Sequence, residues 1–184
     1  MTDKLRRKRT LLDGRQMDRV LRRMAGEVIE RCPELDRLVL VGIRTRGVPL
    51  AERLRAEIQR VEGRDVPLGV LDITLYRDDL STIAPQPVVK ATQIPDRVED
   101  HVLMLCDDVL YTGRTIRAAL DALVDYGRPR AVQLAVLVDR GHRELPIQAD
   151  VVGVTVQTQA SEVVEVKFDS TDSVDRVDLM ERAG

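Results

Sequence analysis

Asp107 and Asp108 stand side by side in the stretch LCDDVLYTGRT, Leu105 to Thr115, between an aliphatic run and a Thr-Gly-Arg-Thr turn. Adjacent ionised carboxylates repel one another and resist desolvation, so a hydrophobic core gains nothing from the pair. Their chemistry suits hydroxyl donors or a ligand that carries a metal ion. Just after them, Tyr111, Thr112, Gly113, Arg114 and Thr115 offer something complementary. A short glycine-containing turn that feeds a helix N-terminus turns free backbone N–H groups and the positive end of the helix dipole toward an anion. Carboxylates for hydroxyls and amides for phosphate together fit a phosphorylated ribose. A plain strand-turn-helix with Thr112 or Thr115 as N-cap is the other use of such a turn. That use accounts for the threonines and leaves the acid pair unexplained.

Such a pair needs a strand that ends beside the start of a helix. HVLMLC supplies the strand, with the acids just past its end at Cys106, and Ile116, Ala119, Leu120, Leu123 and Val124 form one face of the helix, closed by Gly127 and Pro129. Upstream, Met17, Val20, Leu21, Met24, Ala25, Val28 and Ile29 recur at three and four between Arg15 and Arg31, which predicts a helix stopped by Cys32 and Pro33. RLVLVGI reads as a buried strand, and TRGVPL leads into a second amphipathic helix with Leu50, Leu54 and Ile58 facing inward. VPLGVLDITLY, Val66 to Tyr76, is rich in strand formers, and AVQLAVLV is a further apolar strand.

Continuous apolar strands alternating with helices predict an α/β fold, a mainly parallel sheet covered on both faces, with ligands beyond the carboxyl ends of the strands. DVVGVTVQTQASEVVEVKF is expected to add one or two short strands that cap one end of the sheet before an acidic tail. Residues 77–100 have no strand or helix periodicity, and a loop that long inside a compact domain is usually functional. One domain is expected over residues 1–184, with 1–14 as a flexible arm.

The composition bounds the remaining possibilities. With 43% hydrophobic residues, 33% charged, one Phe, three Tyr and no Trp, the core is aliphatic under a salt-rich surface. A net charge of −2 gives no overall cationic field, so any nucleic-acid role must rest on a local patch. Cys32 and Cys106 lack metal-ligand spacing and read as free thiols. No stretch approaches the ~20 apolar residues of a membrane span, so a cytoplasmic protein with no membrane contact is expected.

LMLCDDVLYTGRT resembles the phosphoribosyl pyrophosphate signature of type I phosphoribosyltransferases. LVGIRTRG, DITLYRDDLS, DALVDYGRP and LAVLVDRGHRELPIQAD extend the resemblance, in order and over nearly the whole chain, to the PyrR family of pyrimidine-operon attenuators and uracil phosphoribosyltransferases. The resemblance implies a type I phosphoribosyltransferase fold with a small C-terminal hood. It implies that Asp107 and Asp108 hold the ribose hydroxyls, that Val109 to Thr115 line the phosphoribosyl pyrophosphate site, and that Thr45, Arg46 and Gly47 form the pyrophosphate loop. A simple surface turn remains the alternative for that tripeptide. Residues 77–100 become a mobile active-site loop that brings Arg77 to pyrophosphate, and Asp139, Arg140 and Val164 are candidates for the uracil side.

Uracil and phosphoribosyl pyrophosphate would yield UMP and pyrophosphate, with Mg²⁺ carried mainly on the substrate and not in a protein cage. With only two histidines in the chain there is little material for a nucleophilic triad, and the chemistry needs none. The family also implies a homo-oligomer that binds a pyr mRNA leader under control of UMP or UTP. Arg19, Arg22, Arg23, His142 and Arg143 are candidates for that RNA face, against a solvated charged surface as the plainer alternative. A uracil phosphoribosyltransferase without an RNA role, and a regulator that keeps the fold only as a nucleotide sensor, remain open at this level.

Overall fold

A computed structural model describes residues 5–77, 91–95 and 98–182. The larger sheet has five parallel strands in the order β3-β2-β4-β5-β6. They are β2 (Leu38–Ile43), β3 (Leu68–Leu71), β4 (Val102–Leu110), β5 (Ala131–Asp139) and β6 (Val151–Thr155). Alternation along these strands sends Leu38, Leu40, Met104 and Cys106 to one face. There they pack with α1 (Gly14–Arg31) and α2 (Gly47–Glu62). Val39, Val41, Leu103 and Leu105 face α3 (Arg114–Leu123) on the other side. Every residue of β2 is buried, as a strand covered on both faces requires.

α1 starts where Asp13 and Gln16 close a reciprocal capping box, each side chain accepting from the other's backbone N–H. It lies against β6, with Arg31 facing Asp150 at 3.8 Å and Arg23 reaching the carbonyl oxygens of Val152 and Gly153.

Within the segment expected as a flexible arm, residues 5–12 are a strand. Leu5–Leu12 form β1, which pairs antiparallel with β8 (Arg176–Arg182), and β8 pairs with β7 (Val163–Lys167). The charges of β1 mask its sequence signal; Arg6 pairs with Glu181 of β8 at 2.6 Å, and Thr10 donates to Asp178 of β8 at 2.9 Å. The segment expected as an acidic tail therefore contains the central strand of this second sheet, held by the buried Val177 and Leu179. The four-residue helix α4 (Asp169–Asp172) joins β7 to β8. This three-stranded sheet is the hood.

Two further boundaries differ from the sequence reading. β3 stops at Leu71 and gives way to a 3-10 turn, Thr74–Tyr76, so the β-rich run is only partly strand. Of the expected loop 77–100, residues 78–90 and 96–97 lie outside the described residues. Within the remainder, Gln93 pairs antiparallel with Val70 and Val98 is buried.

Candidate active site

The site begins where β4 outruns its neighbour. Pairing between β2 and β4 ends at Gly42 and Cys106, whereas pairing between β4 and β5 continues to Leu110 and Asp139. The acids were expected beyond the end of the strand. They lie inside it, on an overhang that no longer has β2 alongside, because the β5 ladder is made by backbone groups and is indifferent to side-chain polarity.

α2 starts beside that overhang. A Cβ on Gly47 would come within 2.1 Å of the Cys106 carbonyl oxygen, and one on Gly42 within 2.5 Å of the Val48 Cα. Only glycines let the helix start approach the strand ends so closely. The peptide between Arg44 and Thr45 is cis. Arg46, the N-cap residue of α2, then reaches the hood, where its Nη2 donates to Asp172 Oδ1 at 2.8 Å. Its Nε is buried and without a hydrogen-bond partner among the described residues.

Asp107 is 7% exposed and Asp108 half-buried. Asp107 Oδ1 accepts from the Asp108 N–H at 3.0 Å, and Asp108 Oδ1 from the Val109 N–H at 2.9 Å. Burial, reinforced by the neighbouring carboxylate, pushes the Asp107 carboxyl well above the usual carboxylate range. Burial also raises Asp108, opposed by its hydrogen bonds and by the Arg46 guanidinium. Both shifts disfavour the charged forms, and partners that donate hydrogen bonds or bring positive charge would favour them. Asp108, Arg46 and Val164 line one cavity of about 160 Å³ between the sheet edge and the hood.

Beyond the acids the chain turns through Tyr111 and Thr112 to Gly113, which has φ 92° and forms the N-cap of α3 without a side-chain hydrogen bond. Neither threonine is the N-cap residue, although Thr112 Oγ1 accepts from the Arg114 N–H at 3.3 Å. The Thr112 carbonyl oxygen accepts from the N–H groups of Glu144 and Leu145, at 2.9 and 3.2 Å. The turn is therefore fixed from behind, leaving the front of the helix start for an anion.

What fixes it is the segment after β5. Arg143 donates from Nη2 to Asp139 at 2.6 Å, from Nη1 to the Tyr111 carbonyl at 2.8 Å and from Nε to the Ile147 carbonyl at 2.8 Å. Arg143, a candidate for the RNA face, is partly buried and clamps the phosphate turn to the end of β5. Arg140 is 5% exposed and lies over the Tyr111 ring, its guanidinium carbon 4.0 Å from the centroid. His142 meets the same ring edge-on at 5.9 Å. Asp139, Arg140 and His142 also border an open cleft of about 460 Å³ with Val156 and Thr158.

Two clusters are thus brought together, Arg46 with Asp108 and Val164, and Asp139 with Arg140, Tyr111 and His142, joined by the phosphate turn. Arg77 is exposed at the end of the 3-10 turn, next to the residues not described. Arg19, Arg22 and Arg23 lie apart on the exposed side of α1. Of these, Arg23 is engaged with Glu27 and the middle of β6, and Arg22 faces Glu57 at 3.8 Å. The sequence reading missed Asp172 as the partner of Arg46, and also Glu162, 6% exposed and paired to Lys8. A glutamate between two valines and a serine carries no local signal of that burial.

A profile of the phosphoribosyl transferase domain matches residues 8–171. The chain belongs to that family. It is 58% identical over 172 residues to the bifunctional protein PyrR of Deinococcus deserti, covering 94% of each chain. It is 56% identical to that of Thermus thermophilus, covering 98% of this chain and 99% of the other. Full-length likeness at this level puts the chain in the PyrR branch of the phosphoribosyltransferases. Hypoxanthine phosphoribosyltransferases share the fold. That of Trypanosoma cruzi superposes with a TM-score of 0.73 at 14% identity, over 96% of this chain and 98% of the other. One from Staphylococcus aureus gives 0.69 at 16%, over 96% and 93%. Among the described residues no helix is long and apolar enough to cross a membrane.

Proposed function

We propose that this phosphoribosyltransferase makes UMP and pyrophosphate from uracil and phosphoribosyl pyrophosphate, and that it also binds a pyr mRNA leader in response to UMP or UTP. The observation that carries the catalytic half is the adjacent acid pair, Asp107 buried and Asp108 half-buried, followed at once by a helix start with glycine, Gly113, as its N-cap residue. The carboxylates accept from the ribose hydroxyls, and the backbone N–H groups of the turn from Tyr111 to Thr115 hold the 5-phosphate. Arg46, through its guanidinium, and the backbone of Thr45 and Gly47 receive pyrophosphate. Arg77, exposed at the end of the 3-10 turn, contacts the same group when substrate is bound.

Asp139, Arg140 and Val164 flank the uracil side. N1 of uracil forms the bond to C1 of ribose as the bond to pyrophosphate breaks, and the protein contributes position and charge, with no covalent intermediate. The hard oxygen donors of Asp107 and Asp108 beside Arg46 fit a hydrated Mg²⁺ carried on the substrate, which would neutralise the departing pyrophosphate.

The regulatory half is supported by the names of the PyrR relatives and by the exposed arginines 19, 22 and 23 of α1, with His142 at the rim. A cytoplasmic homo-oligomer would repeat these cations by symmetry. The test has two arms. Uracil should be converted with Mg²⁺ present while hypoxanthine is not, and UMP should strengthen binding to leader RNA over a scrambled transcript. Conversion of hypoxanthine in place of uracil refutes the substrate, and no RNA preference refutes the regulator.

A further inference from the structure

Glu162 sits in the hood immediately before β7, yet its carboxylate is almost wholly covered. Lys8 of β1 donates to its Oε1 at 2.6 Å, and its Oε2 accepts from the Gln159 N–H at 2.7 Å. A buried carboxylate with both oxygens engaged fixes the backbone it grips. Lys8 holds that carboxyl below its ordinary range, so it stays charged. The gripped residue is the one that holds Arg140, whose Nη2 donates to the Gln159 carbonyl at 3.1 Å. The adjacent Thr158 donates from Oγ1 to the Arg140 carbonyl at 3.4 Å, and its own carbonyl faces His142 Nε2 at 2.7 Å. Arg140 in turn lies over Tyr111, the first residue of the phosphate turn, and its buried Nε has no partner among the described residues. An unbonded buried guanidinium N–H is costly unless a ligand completes it.

We infer that the Lys8–Glu162 ion pair is a positioning device for the base side of the site, holding the segment 157–159 so that Arg140 keeps its place over Tyr111 beside the nucleobase. The N-terminal strand thereby acts on substrate recognition through the hood, without touching substrate. The inference rests on the proposed uracil site, and deepens it. Gln at position 162 can still accept from Gln159 N–H but cannot hold Lys8 as an ion, whereas Ala loses both roles; at position 8, Arg preserves the pair and Met removes it.

The test is steady-state kinetics with calorimetric UMP binding on wild type, Glu162→Gln, Glu162→Ala, Lys8→Met and Lys8→Arg. Glu162→Gln and Lys8→Met are expected to raise KM for uracil and weaken UMP by about 10-fold, the scale of one charge-assisted bond, with KM for phosphoribosyl pyrophosphate little changed. Lys8→Arg should behave as wild type, and the Lys8→Met, Glu162→Gln double variant should be no worse than either single one. If Glu162→Ala fails to fold, the Gln and Met variants decide. Unchanged uracil KM and UMP affinity in those two, or equal losses for both substrates, overturns the inference. Should the wild type bind UMP but turn over no uracil, the catalytic reading fails while UMP affinities still decide this one; a wild type that binds no UMP overturns both.

Discussion

Arg46, at the start of α2, and Asp172, in the hood helix α4, are joined by a 2.8 Å ion pair that bridges the sheet edge and the hood beside the acid pair. The arginine assigned to pyrophosphate is therefore already partnered by a carboxylate before substrate arrives, and pyrophosphate must share or displace it.

Arg46→Ala should accordingly raise KM for phosphoribosyl pyrophosphate by about 10-fold or more, since a charge-assisted contact is lost, while UMP, which has no pyrophosphate, binds nearly as before. Asp172→Asn removes the competing charge and should lower that KM. Calorimetry with UMP beside kinetics separates these effects; equal weakening of both ligands by Arg46→Ala would contradict the assignment.

The acid pair makes a prediction in the opposite sense for stability and activity. Burial raises the folded-state pKa of Asp107 above its unfolded value, so protonation is favoured in the folded protein. Its contribution to stability is then greatest below the unfolded pKa and is lost as pH rises toward the folded one. Asp107→Asn, uncharged and still able to accept from the Asp108 N–H, should raise Tm at pH 8 and have little effect near pH 3.5. Thermal unfolding at the two pH values checks this, and an Asn variant less stable at pH 8 would show that the charge is not strained.

Arg143 and the α1 arginines should separate. Arg143→Ala removes the clamp between Asp139, Tyr111 and Ile147 and is expected to lower both Tm and catalytic efficiency. Arg19→Ala with Arg22→Ala should spare uracil turnover and weaken leader RNA, with each lost phosphate contact flattening the slope of log K against log salt by roughly 0.7 on single-stranded RNA. Titration across salt reads the difference. An Arg19, Arg22 double variant with unchanged slope would remove α1 from the RNA face.

Gly47→Ala places a methyl group against the Cys106 backbone, which cannot move aside without shifting β4. A loss of more than about 2 kcal/mol in denaturant unfolding is expected, and a loss under ~0.5 kcal/mol would mean that α2 can back away from the site.

The parts of this site that are contiguous in the chain were legible there. The acid pair, the phosphate turn and the three long helices declare themselves by local spacing and chemistry. What was not legible joins distant residues. Arg46 and Asp172 are 126 positions apart, and Lys8 and Glu162 are 154 apart. The inward turn of Arg143 follows from positive φ angles at Gly141 and His142, 73° and 60°, of which only the glycine hints in sequence. β4 was cut at Cys106 because carboxylates interrupt its apolar run, although its backbone ladder to β5 continues. The hood was underestimated for a related reason: β1 and β8 join through a backbone ladder between distant segments, and their charged side chains read as two solvated segments when either is seen alone.

The central claim is that Asp107 and Asp108 hold the ribose of phosphoribosyl pyrophosphate during transfer to uracil. The most direct measurement is the Mg²⁺-dependent rate of UMP formation by wild type and by the Asp107→Asn, Asp108→Asn double variant, with folding verified by Tm. A fall in kcat/KM of at least ~10-fold in a folded double variant is the predicted result; a folded double variant that forms UMP at the wild-type rate would contradict it.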